Sequence, residues 1–295
     1  MTPQGAVPPD TRQRRVRLLT GLVFLAVVAL GGILSVNADR SRTAHLRAEA
    51  GVVASHFAQR IVVHIDRALS ATYALAAIVR VSKGQVVDFD SVAGSTLRFF
   101  PDVSSLQLAP DGVVTYIVPL TGNERILGHD LLRDEKRNKE AILAKNTAKL
   151  TLAGPFELIQ GGGIAVIGRL PIFLPDSGGQ FWGFATVVIR VAGLLEGARM
   201  SGLSDEGYRY ELWRIHPDTG ERHVFASSTG GAMLTPVVHA FPVPNGQWFL
   251  SVEPRAGWIS WGWIAFEAAS TLVAAALFAW LARLAVGSRV HGTST

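Results

Sequence analysis

LTLAGPFELIQGGGIAVIGRLPIFLPDSGGQFWGF, residues 150–184, holds three apolar runs, at 156–159, 164–174 and 181–189. Gly161-Gly162-Gly163 separates the first two, and Pro175-Asp176-Ser177-Gly178-Gly179 separates the second from the third. Glycine-rich breaks between β-branched and aromatic runs are strand–turn–strand signals. The stretch therefore reads as a folded sheet, not as a catalytic loop.

Upstream, residues 37–81 place Leu46, Ala50, Val53, Phe57, Ile61, Ile65, Leu69, Tyr73 and Ala76 at steps of three and four. That is one apolar stripe of a helix, interrupted only by Gly51, and it continues as a stalk from an apolar segment before it. The stripe packs either on its own domain alone or, in its first half, also on a second subunit. Its steps are too irregular for a strict coiled coil. Ser82-Lys83-Gly84 ends the helix, and a shorter one over 89–100 stops before Pro101. Residues 106–109 and 113–118 flank Pro110-Asp111-Gly112 as a hairpin. Residues 119–132 form a polar loop into a charged helix over 134–146, capped by Asp130 or Asp134. After the sheet, the expectation is a short helix over 192–200 and a subdomain boundary at 201–207. Strands follow over 208–215, 222–227, 237–241 and 247–252.

Only 17% of residues are charged and 48% are hydrophobic, against about 25% charged in typical soluble domains; mean hydropathy is +0.28. Two segments carry the difference. Residues 18–36 contain no charge, and as a helix they span about 28 Å, close to a bilayer core. Residues 264–286 carry only Glu267 and Arg283, near their ends. Trp258, Trp261 and Trp263 precede this segment and suit an interfacial belt; Glu267 reads as a snorkelling carboxylate, not a proton carrier. The net charge is +5. Arg12, Arg14, Arg15 and Arg17 against Asp10 give +3 before the first segment, and Arg283 and Arg289 give +2 at the end of the second, leaving the middle neutral. This positive-inside pattern predicts a two-pass protein of the inner (cell) membrane, both termini cytoplasmic, with residues 37–262 periplasmic. A nucleic-acid binder would carry its basic patch on the folded domain, so nucleic acid is not an expected partner. For the first segment the alternative is a signal peptide cleaved near Val36-Asn37-Ala38, but the run exceeds the 7–15 residues of a signal core. The chain has no cysteine, which excludes disulfides, Cys-based metal sites and a thiol nucleophile. Residues 1–11 read as a disordered tail, and the nine residues 287–295 are too few for a domain, so an outside module without an inside effector is expected.

Catalytic signatures are missing. There is no GxSxG, GxxxxGK[ST] or HExxH, and the glycine triplet has no following lysine or helix to cradle phosphate. His56 and His64 share a helix face without a third ligand, which makes a metal site improbable. His129 beside Asp130 can titrate near neutral pH or serve only as a loop residue. Glu157 and Asp176, the carboxylates of the central stretch, lack partners for acid–base work. The expectation is a binding protein, not an enzyme, without cofactor or metal.

Several pieces in order resemble the CHASE domain, the extracytoplasmic sensor of cytokinin-receptor-like kinases and of bacterial cyclases, phosphodiesterases and kinases. They are residues 116–120, Gly122-Asn123-Glu124, Gly128-His129-Asp130-Leu131, residues 141–147, LTLAGPFEL (150–158), GRLPIF (168–173) and FWGFATVV (181–188). The resemblance implies an α+β fold: a long stalk helix (37–81) carrying two PAS-like α/β subdomains, distal (85–190) and proximal (201–255). Transmembrane helices over 18–36 and 263–286 flank it, with tails at 1–17 and 287–295. It further implies a homodimer through the stalk and a small-molecule ligand on the distal sheet. Candidate lining groups are Leu106, Leu108, Tyr116, Val118, Leu150, Leu152, Phe156, Arg169, Phe173, Phe184 and Thr186, with Asn123 at the mouth; for the apolar ones, core packing is the alternative. Where plant members carry Thr-Ser before Pro-Phe, this chain has Ala153 and Gly154, and no Asp falls at 121–123, which argues against a cytokinin. The implied role is a membrane-anchored sensor that signals to a separate cyclase, phosphodiesterase or kinase. The alternative is a non-catalytic dimerisation partner of full-length receptors, with an empty pocket.

Overall fold

The computed structural model describes residues 11–288 apart from positions 136, 160, 229 and 230. The tails expected at the two ends fall largely outside the described residues. The chain divides into two compact units, Glu49–Arg255 and the two ends, Met1–Ala48 with Ala256–Thr295.

α1 (Thr11–Val81), which begins in the unit of the ends and continues into the central one, and α6 (Trp261–Ser288) each contain a window long and apolar enough to cross a membrane. They approach closely: a Cβ at Gly31 would stand 2.3 Å from Thr271 Cγ2. The tryptophans anchor polar partners. Arg42 lies over Trp263 and Arg47 over Trp258, and the Trp263 indole donates to Glu267 Oε1 at 2.7 Å.

The central unit has two antiparallel sheets. The first contains β1 (Ser105–Pro110), β2 (Tyr116–Val118), β3 (Thr151–Glu157), β4 (Ile164–Leu174) and β5 (Gln180–Arg190), in the order β2-β1-β5-β4-β3. The second contains β6 (Tyr208–Ile215), β7 (Arg222–Ser227), β8 (Val237–Val243) and β9 (Gly246–Pro254), in the order β7-β6-β9-β8. α2 (Phe89–Leu97) precedes the first sheet, α3 (Lys139–Thr147) lies between β2 and β3, and α4 (Val191–Gly197) and α5 (Ser201–Asp205) join the sheets. One core runs through both, built on Phe57, Ile61, Ile65, Leu69, Leu75 and Val79 of α1. Leu106, Leu108, Leu152, Leu170, Val187 and Ile189 meet that helix from the first sheet, and Leu212, Phe241, Trp248 and Leu250 extend the core into the second. Gly168 sets the approach on β4: a Cβ there would lie 2.2 Å from Leu69 Cδ2.

Three sequence expectations need correction. The first strand of the central stretch is Thr151–Glu157, not 156–159. Gly154-Pro155 lies inside this strand, at a bulge between Ala153 and Phe156. Gly154 has φ +92, and a Cβ there would come 2.8 Å from the Ala165 carbonyl oxygen, so glycine is required. The helix expected from 134 begins at Lys139; Asp130 Oδ1 instead accepts the N–H groups of Leu132 and Arg133 and stabilises a turn. The stretch 201–207, between the last strand of the first sheet and the first strand of the second, contains α5, whose Leu203 is fully buried in the shared core. Tyr73 of the stripe is 54% exposed; Thr72 is buried in its place, donating to the Leu69 carbonyl.

Candidate functional site

Strand alternation gives the first sheet two faces. One lies on α1. On the other, the register aligns Gln107 with Thr186, Thr186 with Arg169, and Arg169 with Thr151. This is a continuous polar row across β1, β5, β4 and β3, and all four residues are buried. A buried polar row costs free energy unless its groups are paired. Thr151 Oγ1 donates to the Glu140 carbonyl at 3.0 Å, and Gln107 Nε2 donates to Ser105 Oγ at 3.3 Å. Thr186 Oγ1 has no partner among the described residues. Arg169 is 1% exposed; its Nη1 donates to the Arg137 carbonyl at 3.0 Å, while its Nε has no partner.

The segment between β2 and α3 covers this row. It is held to the β1–β2 turn by backbone bonds: Val114 N–H donates to the His129 carbonyl, Gly128 N–H to Val114, and Leu131 N–H to Gly112. Asn123 Nδ2 donates to the Pro119 carbonyl within the segment. Ile126, His129, Leu131 and Arg137 thereby come to face Gln107, Ile167, Arg169, Thr186 and Val188 of the sheet, with Leu158 and Ile159 closing one end. The cavity between them measures about 20 Å³, room for about one water.

The cavity is electropositive. Burial pushes the Arg169 guanidinium down to about 10; Glu140 and Asp134 oppose the shift at longer range and Arg137 adds to it. Arg169 therefore stays charged at neutral pH, without a carboxylate in ion-pair contact among the described residues. His129 is held below the ordinary histidine value, first by burial and then by Arg169 and Arg137, against the pull of Asp134 at 3.4 Å. Arg137 lies over the Phe156 ring at 5.0 Å.

The twelve candidates do not share a face. Arg169 and Thr186 line the cavity. Phe184 lies one step along the same face in an edge-on chain with Phe181 and Phe173. Phe156 sits under Arg137, and Asn123 holds the covering segment. Leu106, Leu108 and Leu152 belong to the α1-facing core, with Tyr116, Val118 and Leu150 packed against it. Leu108 lines a second cavity of about 20 Å³ against Leu75 and Val79. Gln107 and Arg137 were not among the candidates, and His129 was weighed only as a titrating loop residue. Gln107, a lone amide between two leucines, was the available signal. The histidines of α1 do not converge: His56 is exposed and His64 Nδ1 pairs with Asp102 Oδ2 at 2.8 Å.

The model of the CHASE domain matches residues 54–225. No curated protein matches the chain. Among solved structures, an extracellular ligand binding receptor from Desulfohalobium retbaense DSM5692 matches at 11% identity and TM-score 0.52, over 67% of this chain and 39% of that one. The sensory domain of the Campylobacter jejuni chemoreceptor Tlp3 (CcmL) matches at 11% identity and TM-score 0.50, over 74% of this chain and 97% of that one. At these identities the likeness shows a common fold, that of extracellular sensory domains.

Proposed function

Because the chain belongs to the CHASE domain family, we propose that it is a membrane-anchored, periplasmic sensor. A small molecule binds the first sheet, and the signal passes along α1 to a separate cyclase, phosphodiesterase or kinase. The observation that carries this reading is the buried polar row beneath its covering segment, with two polar groups left unpartnered. The ligand acts by its differential affinity for two arrangements of that segment and the helix. The protein works as a homodimer through α1: exposed Val52, Val63 and Val81 are separated by near-whole numbers of turns and so share one face. Both termini are cytoplasmic, consistent with the charge beside each apolar helix, and the chain is not an enzyme. Thermal melts of the full chain in nanodiscs against a library of organic acids, amino acids, purines and peptides test the reading. A saturable rise with at least one compound is expected; a flat response to all of them would remove it.

The small cavity favours a second reading, in which the chain is a regulatory dimerisation partner and binds nothing. That reading expects the flat response together with co-purification of a full-length receptor.

A further inference from the structure

We propose that the cavity takes a small organic acid, held by its carboxylate against the side-on edge of the Arg169 guanidinium and the Thr186 hydroxyl, with no ammonium group on the ligand. The inference rests on the sensor reading and adds the ligand's class. Arg169 is buried with Nη1 committed to the Arg137 carbonyl and Nε unpartnered. The edge left open is the one that carries Nε and Nη2, whose parallel N–H groups match the two oxygens of a carboxylate. Thr186 is the direct cross-strand neighbour of Arg169, and its Oγ1 is also unpartnered. A buried cation without a counter-ion is a costly arrangement, and an anionic ligand relieves it.

Charge balance sets the second half of the claim. Among the described residues the lining contributes Arg137 and Arg169 and no Asp or Glu. The carboxylates that act on Arg169 do so at longer range: Glu140 of α3, and Asp134, whose Oδ2 lies 3.4 Å from His129 Nε2. An α-amino acid would bring an ammonium into a wall with no acidic group to receive it. The closeness of Ile126 and Leu131 to the sheet restricts the acid to a short chain that enters as the covering segment lifts.

Full chain in nanodiscs is titrated with sodium propionate, lactate and pyruvate, then with propionamide, L-alanine and inorganic phosphate, followed by calorimetry and thermal melting. At least one of the acids is expected to bind, and propionamide and L-alanine at least tenfold more weakly. Arg169→Gln is expected to weaken the acid by roughly 10- to 100-fold, Arg169→Lys by less, since it keeps charge but loses the fork. Thr186→Val, which preserves shape, gives a second reading if the arginine variants fold poorly, with a several-fold loss expected. Equal binding of propionamide, preference for L-alanine or phosphate, or unchanged acid affinity in both Arg169→Gln and Thr186→Val would overturn the carboxylate assignment. The broad library separates this from the sensor reading. A neutral or zwitterionic compound that binds and is blocked by Leu131→Trp leaves a sensor with another ligand, whereas no binding by any compound removes both.

Discussion

Each sheet of the central unit buries a charged side chain, and the two are treated in opposite ways. On β9, Glu253 receives Arg209 Nη2 at 2.7 Å and the Thr235 N–H at 3.3 Å. On β4, Arg169 is buried as deeply, yet it donates to one backbone carbonyl and has no carboxylate partner among the described residues. A charge removed from water must be compensated. The second sheet supplies the compensation within the fold; on the first, the proposed ligand would supply it from outside. Arg209 Nε, Arg214 Nε and His223 Nδ1 on the second sheet also lack partners among the described residues, but all three side chains are only half-buried, so water reaches the rest of each group.

The largest effect is expected from Glu253→Ala, which strands Arg209: a loss of about 3 kcal/mol, read by urea unfolding. A loss under about 1 kcal/mol would break the contrast, because Glu253 would then not be holding the second sheet. Arg169→Met is expected to go the other way in the absence of ligand, gaining about 1 kcal/mol by replacing an uncompensated charge with an apolar chain of similar reach. Thr186→Val sharpens the same point at smaller scale: removing an unpartnered buried hydroxyl is neutral or stabilising by less than about 1 kcal/mol. The smallest effect concerns pH. His129 titrates below 6.5 in the folded state, so between its folded value and 6.5 the unfolded chain binds the extra proton. Stability therefore rises with pH through that window. His129→Asn is expected to flatten this rise, measured as the pH dependence of the melting temperature; the surrounding Asp134, Asp130, Arg169 and Arg137 remain in place.

Much of the fold was legible because its strands alternate and its turns carry glycine or proline. β4, β5 and the four strands of the second sheet follow their apolar runs closely. β3 was misplaced because its apolar run was taken to begin at Phe156, after Gly154-Pro155, and only the bulge between Ala153 and Phe156 shows how a strand passes through that pair. The site was half legible. Arg169 and Thr186 stand out as polar residues in apolar runs, but Leu106, Leu108 and Leu152 were grouped with them although each is one position out of phase and points at α1. A one-residue offset reverses the face, and the facing choice depends on where the helix lies. The covering residues were the hardest to place. His129, Leu131 and Arg137 reach the sheet only through non-local bonds such as Val114 N–H to the His129 carbonyl, which no local pattern encodes.

The most direct measurement compares the unfolding free energy of the wild-type chain and Arg169→Met in nanodiscs, each with and without saturating amounts of the tightest-binding acid. The order is expected to reverse: without the acid the variant is the more stable, and with it the wild type is. A wild type that is more stable in both conditions would contradict the claim that Arg169 waits for a carboxylate from outside the fold.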